Sequence, residues 1–242
     1  MDVYIIIPFH NEEKYIESTV KSIVEQSYPV KKLLLVNDNS TDKSSSKIDI
    51  YLKEYSWISK IDINSNNNHI PGKKVINAFN QGLKIMDSNY DIICKFDADI
   101  ILPKNYLEKV ILEYNKDPLV GMVSGILHIK KNDKWIFEKV SSKKHVRGPI
   151  KSYKKECFKE IGGLKESIGW DTVDVLLAKY NQSSDIIVGT PIAGRNESGL
   201  EQMIGVFLNM LALRTKIDIN ISFENIHLIF SPPLRYFTFF NG

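Results

Sequence analysis

Hydrophobic positions fall into short unbroken runs, separated by amphipathic stretches and polar turns. Val3 to Ile7, Leu33 to Val36 and Ile92 to Phe96 are apolar or nearly so, the pattern of strands covered on both faces of a parallel sheet. Between the first two, Pro8-Phe9-His10-Asn11-Glu12-Glu13 leaves the strand, with Asn11 a candidate helix cap and acidic residues in the first turn. Ile16, Val20, Ile23 and Val24 then share one face of a helix running to about Gln26. The second strand ends in Asn37-Asp38-Asn39-Ser40-Thr41-Asp42, a polar turn able to cap a helix from Lys43 to Tyr55. Ile58 to Ile63 is a weaker third strand. The first 65 residues thus read β-α-β-α-β, a doubly wound start.

Farther on, an Asn-rich loop over 64–72 precedes a helix from Val75 to Met86, where Asn77, Asn80 and Gly82 are unusual helix residues. They read as an exposed face with one tight packing contact. Pro103 opens a helix to Asn115. Val120 to Lys130 and Trp135 to Val140 read as two strands joined by 131–134, which breaks the rhythm and implies a mixed sheet. Val146 to Pro149 reads as a loop. A short helix from Lys155 to Ile161 stops at Gly162-Gly163, and another starts near Gly169, with Asp171 a candidate cap, and reaches Tyr180. Asp185 to Val188 is a last short strand. Beyond residue 200 the chain is apolar nearly all round at 203–213 and aromatic at 226–240. The expected organisation is one α/β domain over 1–199 and an apolar extension over 200–242, a candidate for membrane-surface or homodimer contact.

Composition narrows the function classes. The 242 residues are 43% hydrophobic and 25% charged, with net charge +3 and no dense basic run, so nucleic acid is not implied while an anionic ligand is allowed. Two cysteines are too few for a disulfide framework or a zinc site, and Cys94 is expected as a small core hydrophobe. With no signal peptide and no run of about 18 apolar residues, the expected setting is cytoplasmic, peripheral at the inner face of a membrane if the extension binds lipid.

The run Ile92 to Phe96 delivers Asp97 and Asp99 beyond a carboxyl strand end, where ligands of open α/β sheets bind. Carboxylates one residue apart face the same side and repel unless a cation sits between them. Hard oxygen donors suit Mg²⁺ or Mn²⁺, which commonly also hold substrate phosphates. The bland alternative is a polar turn after a strand. Neither a Gly-x-Gly-x-x-Gly turn nor a Gly-Lys-Ser/Thr phosphate loop is present, so nucleotide would have to be held by side chains of the loops after strands one and two.

The order of these motifs resembles the family 2 glycosyltransferases, which have the GT-A fold, a Rossmann-like mixed central sheet flanked by helices. The likeness spans residues 3 to 195. Ile6 to Glu13 resembles the family's opening strand and Pro-x-x-Asn-Glu turn, and Leu35 to Asp42 its Val-Asp-Asp-Gly-Ser-Thr-Asp loop. Asn77 to Leu83 is similar to its Ala-x-Asn-x-Gly-Leu helix, Asp97-Ala98-Asp99 falls where its metal motif belongs, and Arg147 to Gly163 resembles the segment before its catalytic loop.

The resemblance implies roles. Asp38 would contact the nucleobase, with Pro8, Asn11 and Glu12 lining the pocket. Asp97 would approach the ribose or the metal, and Asp99 would ligate Mn²⁺ or Mg²⁺. Lys74, or its neighbour Lys73, would add positive charge near the diphosphate or remain a solvated surface lysine. Asp171 would be the general base, with Asp174, one turn along, as the alternative. Trp170 stands where the family usually has an acidic residue and could stack on the acceptor sugar. Arg147 and Arg195 would serve acceptor or diphosphate. The stretch Pro191 to Arg195 lacks the histidine that completes the metal shell in many relatives, and His10 is the nearest substitute by motif. The expected activity is inverting transfer of a sugar from a UDP- or GDP-linked donor to a glycan or lipid-linked acceptor. Alternatives are a catalytically weak or inactive nucleotide-binding module and a sugar nucleotidyltransferase.

Overall fold

The computed structural model describes residues 1–65, 72–132, 134–138, 145–167, 169–181 and, as backbone only, 184–195. The expected boundary at 199 and the extension over 200–242 lie outside the described residues.

The described elements are β1 (Val3–Phe9), α1 (Ile16–Val24), β2 (Lys32–Asp38), α2 (Ser44–Lys47), α3 (Asp49–Glu54), β3 (Ile58–Ile63), α4 (Lys73–Ile85), β4 (Ile92–Phe96), α5 (Tyr106–Lys116), β5 (Val120–Lys131), β6 (Lys134–Phe137), β7 (Ile150–Lys154), α6 (Lys155–Glu160), α7 (Trp170–Tyr180) and β8 (Ser184–Arg195). The strands form one sheet in the order β3-β2-β1-β4-β7-β5-β6, with β8 added alongside β5. β1 to β4 are mutually parallel and β7 runs antiparallel between β4 and β5, so the sheet is mixed, as expected.

Strand alternation splits the core into two layers. Ile5, Ile7, Leu33 and Leu35 face one way, against Ile16 and Val20 of α1 and Leu107 and Val110 of α5. Tyr4, Ile6, Leu34 and Val36 face the other way, against Phe79 of α4, Phe158 of α6 and Trp170 of α7. Gly82 sets how closely α4 approaches the sheet. A Cβ there would lie 2.8 Å from Val36 Cγ2 and 3.2 Å from Ile6 Cγ2, so the tight contact expected at this glycine is real.

Several expectations change. The stretch Ile150 to Lys154, assigned no element from sequence, is β7 at the heart of the sheet. Lys151, its second residue, disguises it, because a charged residue in a fully buried strand contradicts the apolar run that marks such strands. The expected helix over 43–55 is two short helices meeting at Ile48, where a serine run with weak helix propensity precedes the break. Asn11 is not a helix cap, since α1 starts five residues later at Ile16 and Asn11 has φ of 55°. Pro103 precedes α5, accepting the Tyr106 N–H through its carbonyl. β6 ends at Phe137, with residues 139–144 outside the described ones, and β8 continues to Arg195, so Pro191 to Arg195 belongs to the strand rather than following it. Gly162 and Gly163 stop α6 with φ of 68° and 70°, the left-handed turn expected of them.

Candidate active site

Parallel pairing of β2, β1 and β4 brings their carboxyl ends side by side, and the loops that follow share one edge of the sheet. Two of these loops are laced together. Asn11, in the left-handed region that asparagine tolerates, turns Oδ1 to accept the Thr41 N–H at 2.8 Å, while its own N–H donates to Ser40 Oγ at 3.0 Å. Glu12 N–H donates to Ser44 Oγ at 2.7 Å. Glu13 and Asp42 cap each other's loops, through Glu13 N to Asp42 Oδ2 at 3.0 Å and Lys43 N to Glu13 Oε2 at 2.9 Å. Burial alone would raise the Asp42 carboxyl, but the Ser44 hydroxyl and the Ser44 and Glu13 amides outweigh it and hold it below the usual range. Pro8 is buried at the end of β1 opposite Val36.

Asp38 ends β2 and is buried, its two oxygens accepting from Ser65 N at 3.1 Å and Ser65 Oγ at 2.6 Å. Its carbonyl lies 2.5 Å from His10 Nδ1, which engages His10 in shaping this loop. Asp38 is therefore a preset acceptor at the joint between β2 and β3.

Next to it, Phe96, Ala98 and Ile100 are buried, while Asp97 and Asp99 between them are half-exposed, so the alternation puts both carboxylates on the more open side. The loop is pinned at Asp97 and Ala98, by Asp97 N to Pro149 O at 2.9 Å and Thr19 Oγ1 to Ala98 O at 2.7 Å. Lys95 forms an ion pair with Asp97 from inside the sheet. Among the described residues no group of three or more His, Cys, Asp or Glu side chains clusters to hold a metal. Two hard oxygen donors on a pinned loop fit an Mg²⁺- or Mn²⁺-type ion that keeps waters and takes substrate phosphates as further ligands, and do not fit a closed protein cage.

The segment before β7 lies against this loop, because Ile150 pairs with Phe96. Gly148 has a tight neighbour in the first turn of α7. A Cβ there would stand 3.1 Å from Asp171 Oδ2 and 3.2 Å from the Trp170 ring. Thus Asp171 reaches the edge occupied by Asp97. The N-cap of α7 is Gly169, with φ of 72°, so Asp171 sits within the first turn rather than capping it. A Cβ on Gly72, the left-handed N-cap of α4, would lie 3.2 Å from Trp170 Cδ1 on another side, and Lys74, the second residue of that helix, is half-buried.

Trp170 is only 8% exposed. Besides the two glycines, the ammonium groups of Lys95 and Lys151 lie 5.1 and 5.3 Å from its ring centre. Such a ring is a packing centre, and the stacking platform expected from sequence is not what this burial offers. Asp174, the alternative base, is 2% exposed and fully engaged. Lys151 Nζ donates to both its oxygens at 2.6 and 2.8 Å, and Tyr153 OH donates to Oδ2 at 2.5 Å. A carboxylate so committed cannot serve an acceptor hydroxyl. Lys151 also donates to the Asp171 carbonyl at 2.6 Å, fixing the turn that carries Asp171. Burial pulls the Lys151 ammonium below its ordinary range, against the opposing pull of Asp174 and Asp171. Burial likewise pushes the Tyr153 phenol far up, with Asp174 adding to it.

Arg147 is buried too, paired at 2.8 Å with Glu138. Its fork ties the loop before β7 to the end of β6, a structural engagement that competes with the expected contact to acceptor or diphosphate. Arg195 falls in β8 opposite Ile129, where only backbone is described. Sequence reading missed Lys95, Lys151, Tyr153 and Gly148. The signal available was lysine inside otherwise buried strands, at Lys95 and Lys151.

Comparison with known proteins speaks to family and fold. The family model described as Glycosyl transferase family 2 matches residues 4–164. A second, described as Condensation domain, matches 171–229, mostly outside the described residues. A probable glycosyltransferase YdaM of Bacillus subtilis is 34% identical over 125 residues, which cover 51% of this chain and 29% of that protein. The chain therefore spans less than a third of that relative's length. Among solved structures, the mannosyltransferase PcManGT of Pyrobaculum calidifontis, in complex with GDP-Man and Mn²⁺, superposes with a TM-score of 0.60 at 18% identity, covering 79% of this chain and 56% of that one. TarS of S. aureus, residues 1-349 in complex with UDP-GlcNAc, gives 0.60 at 17% identity, with coverages of 81% and 59%. At such identities the structures speak to fold alone. The chain belongs to the family 2 glycosyltransferases and has their GT-A fold.

Proposed function

We propose that this glycosyltransferase is an inverting enzyme that uses a UDP- or GDP-linked sugar, with Asp171 as general base. The observation that carries the reading is the meeting, at Gly148 and Pro149, of the Asp97–Asp99 loop with the first turn of α7. One side of that junction offers two half-exposed carboxylates and the preset acceptor Asp38, and the other offers Asp171.

The chemistry follows from this placement. Asp171 takes the proton of an acceptor hydroxyl, and the oxygen attacks the anomeric carbon from the face opposite the nucleotide. The bond from that carbon to the diphosphate oxygen breaks and its electron pair leaves with the nucleotide diphosphate. One in-line displacement inverts the configuration. Position matters before acidity for such a base, and the Lys151 contact to its carbonyl provides the position. Asp38 and Ser65 form the nucleobase end, with the laced loops of Asn11, Glu12 and Thr41 shaping the wall. Asp99 and Asp97 would hold Mn²⁺ or Mg²⁺, which when bound neutralises charge on the departing diphosphate. Trp170 and Arg147 support the site by packing and by ion pairing. The acceptor class is a glycan or a lipid-linked carrier, reached at the cytoplasmic face of a membrane. This assignment rests on the family resemblance. No described helix is long and apolar enough to cross a membrane.

Calorimetric titration of UDP and GDP, with and without Mn²⁺, tests the reading on the wild type and on Asp99→Ala. Metal-dependent binding of one nucleotide, lost in the variant, is expected. Binding of neither nucleotide would overturn it. Binding that ignores the metal would overturn the metal role of Asp97 and Asp99 and favour metal-free nucleotide binding.

A further inference from the structure

We propose that the β5–β6 hairpin is an acceptor arm, on which the exposed indole of Trp135 stacks a sugar ring of an extended glycan, several sugars away from the reacting hydroxyl. The inference deepens the proposed function and rests on it, making the acceptor a chain of sugars rather than a single sugar.

The sheet order lays the site out in a line. Asp38 ends β2, Asp97 and Asp99 follow β4, and Asp171 meets the segment before β7 at Gly148. In-line displacement puts the acceptor on the far side of the reacting carbon from the nucleotide, and the strands next along are β5 and β6. Ser124 of β5 is level with Lys151 of β7, and Lys151 with Lys95 of β4. From Gly125 onward β5 therefore runs past the carboxyl end of β4. β6 folds back on this projecting part, and β8 backs its other edge as far as Ile129. Trp135 lies opposite Lys130, six positions beyond Ser124 (124 to 130), or roughly 20 Å at the rise of a strand.

Alternation fixes the face. Leu127 packs in the layer of α1 and α5, so His128 and Lys130 look the other way, together with Phe137 and Trp135 opposite them. The His128 and Phe137 rings meet edge to face there, with centres 6.2 Å apart. This is the side of the sheet on which α7 lies, since Met122 of the same strand face packs with Trp170 and Val175. Ile129 and Ile136 form the opposite face of the hairpin. An ion pair ties the arm to the site. Glu138, next to Phe137, pairs with Arg147 at 2.8 Å, and Arg147 adjoins Gly148, which packs against Asp171. The Glu138 N–H also donates to the Leu127 carbonyl at 3.0 Å.

A single exposed apolar side chain is ordinary. Trp135 differs in its placement, being 45% exposed, beyond Asp171 along the sheet and on the side that carries α7. An indole joins a broad apolar face to one polar N–H, which suits a sugar ring with its apolar face and its rim of hydroxyls. At its distance from the reacting edge it cannot touch the sugar that reacts. It holds a remote part of the acceptor, whose binding energy then helps to position the reacting end. Trp135 is thus a specificity-determining residue for acceptor length.

The test is calorimetric titration of the full chain, saturated with UDP or GDP, with oligosaccharides of glucose, N-acetylglucosamine, mannose and galactose, each series running from monosaccharide to hexasaccharide. Wild type is expected to bind one series, the hexasaccharide about threefold to tenfold more tightly than the monosaccharide. Trp135→Ala is expected to lose that length dependence, with UDP or GDP affinity within about twofold of wild type, and Trp135→Tyr to keep most of it. Thermal unfolding of the variants checks the fold. Undiminished length dependence in Trp135→Ala would overturn the inference while leaving the proposed function intact. So would wild-type affinity indifferent to length, or a wild type that binds nucleotide and no oligosaccharide, results that need no variant to fold. A wild-type dimer, or binding to phosphatidylglycerol vesicles, that Trp135→Ala abolishes with oligosaccharide affinity unchanged would overturn it too, and give this face to a second copy or to a membrane. Wild type that binds neither nucleotide nor oligosaccharide would overturn the proposed function, and the inference with it.

Discussion

Lys151 Nζ donates a 2.6 Å hydrogen bond to the backbone carbonyl of Asp171 while pairing with Asp174 one turn on. Strand β7 thereby holds helix α7 by a charge as well as by the apolar cluster that Trp170, Val175 and Ala178 share with Tyr153. Breaking a buried pair by removing one partner leaves an uncompensated charge and costs about 3–5 kcal/mol. Lys151→Met should destabilise the fold by that order, read by denaturant unfolding. Lys151→Met combined with Asp174→Leu should recover most of the loss, because neither member of the pair is left as an uncompensated buried charge. Recovery of stability without recovery of turnover would separate the positioning of Asp171 from simple folding.

Gly148 tests position at the chemistry itself. A methyl group there meets Asp171 Cβ and Oδ2 at 3.1 Å and must push the turn aside by a few tenths of an ångström. A misplacement of about 1 Å can cost about a hundredfold in rate, so a shift of a few tenths is expected to cost less. Gly148→Ala should lower turnover severalfold, up to about tenfold, while leaving UDP or GDP affinity within about twofold, as compared by steady-state kinetics and calorimetry.

Gly82 tests packing away from the chemistry. Alanine would gain about 1 kcal/mol of helix propensity, yet its Cβ would press on Val36, Leu34 and Ile6. Overpacking costs typically about 1–3 kcal/mol, so Gly82→Ala should be destabilising by about 1 kcal/mol and Gly82→Val by more. Thermal unfolding should show a loss of about 2–4 °C for the alanine variant.

His145 gives a pH dependence. Burial holds its imidazole below the ordinary range, helped by Lys151 and opposed by Asp171 and Asp174, with Arg147 a smaller lowering influence. The unfolded chain, with an ordinary pKa of about 6.5, therefore takes up the proton first. Stability tied to neutral His145 is complete above about pH 6.5 and declines as pH falls toward the lower folded value. Denaturant midpoints between pH 7.5 and 5.5 should fall less steeply in His145→Gln than in wild type. The difference should be a fraction of the about 1.4 kcal/mol that one pKa unit represents, since the ring is half-exposed.

Strands β1, β2 and β4 were legible because apolar runs leave little ambiguity, and Asp38, Asp97 and Asp99 because they follow those runs directly. The doubly wound start and the mixed sheet came from the same pattern. What escaped was the layer that joins the carboxylates. Lys151 made β7 look like a polar segment, although its charge is neutralised by a residue 23 positions away. Trp170 and Asp174 invited functional readings because sequence gives residue type and spacing without burial. Asn11 was read as a cap for the helix ahead, whereas its side chain bonds a loop 30 positions away. In each instance the deciding contact is long-range, where local pattern carries no signal.

The central claim is that Asp171 activates an acceptor toward a nucleotide-linked sugar. The most direct measurement is release of free UDP or GDP from a panel of UDP- and GDP-sugars, supplied with glycan and lipid-linked acceptors, by wild type and Asp171→Asn. Release by wild type with one donor, reduced by at least about a hundredfold in Asp171→Asn while nucleotide binding persists, is the expected result. Equal release by the two proteins would contradict the assignment of Asp171. No release from any donor, by a wild type that still binds the nucleotide, would contradict transfer with this panel and favour a binding role.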